Sequence, residues 1–229
     1  MLLNDSLVLD VLRTLDRSGA LRHLVIIGSW SLPIYQHYFN EFNQIPIMRS
    51  MDLDFLLSDR PQISRRIDVA EILEGMGFTL THSVQGEFEK FMHPELEVEF
   101  LTQELGRGSP GGKKIDSMNI SAQPLRYQSF ALDHTIEVEY YGMKLVVPEP
   151  TVYLLLKGII SGERPPSQKA KSEKDLHVVK EFGHYLISNP RQKALLYYFY
   201  QKIPKSWQRK FSKAVEGSCP DIVETCNSK

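Results

Sequence analysis

The stretch SMDLDFLLSD, residues 50–59, sets two aspartates one residue apart inside an otherwise apolar run. In an extended strand, side chains alternate between faces. Met51, Leu53, Phe55 and Leu57 therefore share one face, and Asp52, Asp54 and Leu56 share the other. A carboxylate withdrawn from water must find a partner or give up its charge. Two of them with Cα atoms roughly 6–7 Å apart on one face ask for positive charge between them. The bland alternative is a half-exposed strand with a wetted polar row. The apolar flanks argue instead for a strand central in a sheet.

A third carboxylate from a neighbouring strand would complete a site for hard divalent cations, which take oxygen ligands. ELEVEFLT, residues 95–102, alternates cleanly and offers one: Glu99, with Glu97 as the alternative on the same polar face. LVIIGSW, residues 24–30, reads as a short buried strand stopping at Gly28-Ser29, ahead of a helical pattern over 30–39. Such a turn turns backbone N–H groups toward an anion at a helix start. Gly28 allows close approach and Ser29 adds a hydroxyl donor, although a plain Ser29 helix cap accounts for the same residues. Neither a dinucleotide fingerprint nor a P-loop is present.

Around these motifs the chain divides in two. Residues 1–148 read as mixed α/β: a helix over 6–18, strands over 24–27 and 51–57, and a helix from Ser64 to Glu74. FTLTHS, FEKFMH and ELEVEFLT follow as strands, then a loop over 104–119 rich in glycine and proline, then a hairpin over 135–141 and 143–147. From 149 onward every convincing period is helical, over 151–161, 172–187, 191–201 and 205–215, with a tail expected to fray. Charge divides the same way: residues 1–149 carry 13 Lys/Arg against 21 Asp/Glu, a net of −8, whereas residues 150–229 carry 14 against 7, a net of +7. A basic half beside an acidic one suits an anionic ligand, nucleic acid among them, although lysines also simply solvate helices.

The apolar and charged fractions, 42% and 24%, are those of an ordinary soluble protein. No apolar run is long enough for a membrane span. The N-terminus reads as a helix, not a secretory signal. Cys219 and Cys226 sit in the expected tail without companions for a zinc site, so a reducing cytoplasm is the expected location. No zinc-binding histidine spacing and no G-x-S-x-G element appear, which leaves metalloprotease and acyl-transfer chemistry without a foothold.

IIGSW, then MDLDFLL, then VEFLT resembles the nucleotidyltransferase superfamily that shares its catalytic core with DNA polymerase beta. The resemblance implies a small mixed nucleotidyltransferase sheet flanked by helices, with an all-helical C-terminal domain over 149–229 completing the nucleotide cleft. It implies Asp52, Asp54 and Glu99 as catalytic and metal-binding acids, and Gly28 and Ser29 as the phosphate turn. The helical half, VPEPTVYLLLKGIISGERPPSQKAKSEKDLHVV, is similar to bacterial nucleotidyltransferase-fold proteins related to the AbiEii toxin group. There the matching Lys157, Lys174 and Asp175 line the nucleotide. His177 stands where that pattern commonly has a further acid. Arg164 and Lys171 are secondary candidates. The implied cofactor is Mg2+, with Mn2+ as its substitute, and the implied substrate is a nucleoside triphosphate. Its NMP group would pass to an RNA (tRNA included), a protein or a small molecule. An inactive nucleotide-binding or interaction module, with an antitoxin protein as partner, is the alternative. Lys193, Lys202, Lys205, Arg209, Lys210 and Lys213, interleaved with Tyr197, Tyr198, Phe199, Tyr200 and Trp207, form a candidate RNA face, although aromatics at helical spacing are more often core with lysines outside.

Overall fold

A computed structural model describes residues 3–48, 50–82, 89–104 and 111–228. The chain forms two compact units, residues 1–38 with 47–148, and residues 39–46 with 149–229.

The first unit is built on α1 (Leu3–Ser18), β1 (Val25–Ile27), α2 (Ser31–Phe39), β2 (Asp52–Leu56) and α3 (Val69–Gly75). It continues through β3 (Thr79–His82), β4 (Glu89–His93), β5 (Leu96–Gln103), β6 (Lys113–Ile115), β7 (Ile120–Leu125), α4 (Gln128–Asp133), β8 (Thr135–Tyr140) and β9 (Met143–Pro148). Among the described residues, the strands make one nine-stranded mixed sheet in the order β3-β4-β5-β2-β1-β9-β8, with β7 on β5 and β6 on β7. β4 pairs with the first half of β5 and β7 with its end, Leu101 to Gln103.

Alternation sets the core. Leu53, Phe55, Val98 and Phe100 are all buried, and β2 runs parallel to β5 with Leu53 beside Val98 and Phe55 beside Phe100. The Phe55 and Phe100 rings stack at 5.7 Å, and Phe91 meets Phe100 edge-on at 5.9 Å. Burying each such side chain stabilises the fold by roughly 1.5–3 kcal/mol. On the opposite face the same register necessarily aligns Asp52 with Glu97 and Asp54 with Glu99.

Several expectations need correction. The helix expected from Ser64 starts at Val69, because the Asp68 carboxylate accepts from the Glu71 N–H and caps it there. Within the expected loop over 104–119, residues 113–115 form β6; residues 105–110 of that loop lie outside the described residues, as do Ser83 and Phe88 of two expected strands. β7 and α4 carry too little alternation to be read from sequence, β7 ending in Gln-Pro-Leu.

The second unit contains α5 (Pro150–Glu163), α6 (Lys169–Ser188), α7 (Pro190–Lys202), α8 (Lys205–Val215) and α9 (Pro220–Asn227). α5 is capped by Glu149, whose buried carboxylate accepts from the Thr151 and Val152 N–H groups. The C-terminal tail is not frayed. Pro220 opens α9, and Ile222, Val223 and Cys226 are buried. Ile222 fits over Gly183 of α6, where an added Cβ would stand 2.4 Å from its Cδ1. Burial alone pushes the Cys226 thiol up to about 12, so it is an inert core group and not a reactive one.

Gly158 of α5 approaches α8 equally closely: a Cβ would lie 2.5 Å from the Phe211 ring and 3.0 Å from Val215. Phe211 and Val215 are fully buried. Gly158→Ala is therefore expected to lower stability by about 1–3 kcal/mol from overpacking, set against a gain of up to about 1 kcal/mol in helix propensity. Chemical denaturation of the variant measures the balance, and a net gain would contradict the contact.

Candidate active site

Three carboxylates meet on the polar face of the sheet. Asp52, Glu97 and Glu99 each bring an oxygen within 4.8 Å of the other two. All three side chains are half-buried. Charges at that spacing repel by roughly 3–4 kcal/mol per pair at the effective permittivity of a protein surface, so the cluster calls for cations. Ser50 supports one member, its hydroxyl reaching Asp52 Oδ2 at 3.3 Å and accepting from the Asp52 N–H at 3.2 Å.

Asp54 lies one step along the same face, and its carboxylate points at the turn after β1. The antiparallel pairing of β1 with β2 places Ile27 opposite Asp54. The next residue, Gly28, adopts φ +70°, and a Cβ there would be 2.2 Å from Asp54 Oδ2. Only glycine satisfies both requirements. Gly28, Ser29 and Trp30 form a single tight 3-10 turn leading into α2. Ser31 at the start of α2 anchors it, donating from its hydroxyl to the Ile26 carbonyl at 3.1 Å.

Lys90 is a site residue that the sequence did not reveal. β4 runs antiparallel to β5 with Lys90 opposite Glu99. Its ammonium donates to Glu99 Oε1 and lies 3.8 Å from Glu97 Oε2. Partial burial works against the charge, but the Glu99 hydrogen bond and the fields of Glu99, Glu97 and Asp52 prevail and hold it above the usual lysine range. The only advance signal was a lysine on a strand beside an acidic one, and strand register is not legible locally.

In the helical unit, Lys157 and Asp175 come together. Lys157 Nζ is 2.8 Å from Asp175 Oδ1, and Arg164 Nε is 2.7 Å from Oδ2. Asp175 is buried, whereas Lys174, beside it on α6, is half-buried and His177 is exposed. Two cations on one carboxylate leave a positive excess. The basic-aromatic face divides. Phe199 and Tyr200 are core, while Tyr198 is exposed with Lys202 Nζ 5.3 Å from its ring. On α8, Lys205, Arg209 and Lys213 fall at successive i, i+4 positions and line a cavity of about 910 Å³. Among the described residues, no helix is long and apolar enough to cross a membrane.

The donor set of the acidic cluster suits a hard divalent ion: it consists of carboxylate oxygens with no imidazole or thiolate. Among solved structures, the fold is similar to an antigenic nucleotidyltransferase-like protein from Paracoccidioides brasiliensis. That similarity covers 98% of this chain and 94% of the other at a TM-score of 0.55 and 14% identity. A search of curated proteins returns no match. A family model described as nucleotidyltransferase matches residues 6–196, so the chain belongs to the nucleotidyltransferase family.

Proposed function

We propose that this chain is an active, divalent-metal-dependent nucleotidyltransferase with a polymerase-beta-like core, related to the AbiEii group. It moves the NMP group of a nucleoside triphosphate to an acceptor hydroxyl and releases pyrophosphate. The observation that carries the reading is the β2–β5 register, which sets Asp52 and Asp54 level with Glu97 and Glu99 beside the Gly28-Ser29 turn.

In this reading Asp52, Asp54 and the Glu97/Glu99 pair hold magnesium, with manganese as a substitute. When bound, the ion would supply Lewis acidity toward the acceptor hydroxyl and positive charge to offset that developing on the phosphates. The acceptor oxygen forms a bond to the α-phosphorus as the bond to pyrophosphate breaks, and the hydroxyl proton passes to a carboxylate of the glutamate pair. The Ser29 hydroxyl and the N–H groups of its turn orient the distal phosphates. Lys157 and Lys174 contribute positive charge to the triphosphate, with Asp175 fixing Lys157 in place. The basic row of Lys205, Arg209 and Lys213 on α8 favours RNA as the acceptor.

Purified protein, Mg2+ and each α-labelled NTP, incubated in parallel with total RNA, lysate protein and a small-molecule extract, test the reading together. Label is expected in RNA, with an equal yield of pyrophosphate. Label in protein or small molecules would overturn the RNA assignment alone. No transfer and no pyrophosphate with any acceptor class would leave an inactive nucleotide-binding module of the same fold.

A further inference from the structure

The acidic cluster already contains a cation of the protein's own. Lys90 reaches it from β4, opposite Glu99, with its ammonium hydrogen-bonded to Glu99 and 3.8 Å from Glu97. The lysine side chain retains 37% exposure, against 26% for Glu97 and 17% for Glu99. All three side chains stand on paired strands of one sheet, and the lysine has the longest stem and the widest route to water.

We propose that Lys90 is a positioning residue that fills the cation position of the Asp52–Glu97–Glu99 cluster and is displaced when a divalent ion enters. Lys90 thereby sets the threshold for metal loading. The inference rests on the metal-binding reading above.

Charge accounting gives the reason. Three carboxylates within 4.8 Å of one another resist folding into one site unless something positive offsets them. Lys90 supplies that offset without metal, so the strands pair in register before any ion arrives. The same ammonium then competes with the ion for the Glu99 and Glu97 oxygens. Free enzyme consequently binds metal weakly, and loading is favoured when a triphosphate brings further oxygen ligands and negative charge. Metal binding and nucleotide binding become linked, and the link passes through one side chain.

The test uses the whole chain without nucleotide, with Mn2+ titration followed by the paramagnetic resonance of the free ion. Wild type is expected to bind weakly and Lys90→Gln at least tenfold more tightly. Lys90→Arg should remain close to wild type. Lys144→Gln, which removes an equal charge from an exposed pair with Glu137, should not change binding. Melting in EDTA should be lower for Lys90→Gln than for wild type, with a larger rise on adding Mn2+. A second readout needs no variant: amine acetylation of wild type, read by mass spectrometry, should increase at Lys90 when Mn2+ is added.

Mn2+ binding by wild type with unchanged or weaker binding by Lys90→Gln overturns the inference. So does Lys90 acetylation that is indifferent to Mn2+, which decides the matter if the variant does not fold. Failure of wild type and Lys90→Gln alike to bind Mn2+ would instead remove the underlying metal reading.

Discussion

Replacing Asp54 with Asn is expected to lower nucleotidyl transfer by roughly a thousandfold or more, with the fold retained. A neutral amide keeps the shape of the carboxylate but contributes no charge to a divalent ion, and catalytic groups that act as a unit fail together when one is lost. Asp52→Asn should behave alike, and the double variant should be little worse than either single one. The prediction has a second half that a structural role would not produce. Asp52 is one of three carboxylates within 4.8 Å of one another, so Asp52→Asn relieves repulsion and its melting in EDTA should stay level or rise. The core side of β2, where Leu53 and Phe55 are fully buried, is untouched. Label transfer and thermal melting measured side by side check both halves. Full turnover in the double variant would end the catalytic assignment.

Gly28→Ala is expected to lower transfer about a hundredfold through a single methyl group. Two effects combine. The backbone at φ +70° disfavours any side chain, at a cost of roughly 1–2 kcal/mol. The methyl would also stand 2.2 Å from Asp54 Oδ2, inside any permitted contact, so the carboxylate or the turn must move. Displacements of about 1 Å in a reacting constellation cost on the order of a hundredfold in rate. Stability should fall by a few degrees at most in melting temperature, since the contact lies on the polar face and not in the core. Mn2+ affinity should weaken along with activity. A variant with normal kcat would mean that Asp54 need not stay where Gly28 admits it.

The acidic motif was legible because alternation is a local property. MDLDFLL and ELEVEFLT each declare their two faces, and the flanking apolar residues place both strands centrally. Gly28-Ser29 was legible because a strand stopped there. What pairs with what was not legible. The level alignment of Asp52 with Glu97 and of Asp54 with Glu99, and the arrival of Lys90 opposite Glu99, come from contacts distant in sequence. The sequence offered Glu97 and Glu99 as alternatives on one face; the structure brings an oxygen of each within 4.8 Å of Asp52. Some misses had usable signals. Asp68 followed three residues later by Glu71 is a capping pattern that would have moved the start of α3. Pro220 ahead of Ile222, Val223 and Cys226 marks a helix start with an apolar side. β7, with its proline and glutamine, is a strand because β5 offers it an edge, not because its own residues demand one.

The stacked Phe55 and Phe100 rings have a consequence for how such a chain diverges. A slip of one residue between those strands would bury the acids and expose the rings, so any copy that folds has its carboxylates assembled. The reverse does not hold. Ordinary drift can neutralise the acids without disturbing the aromatic lock. Descendants that keep the scaffold and lose the acids should therefore be readily reached.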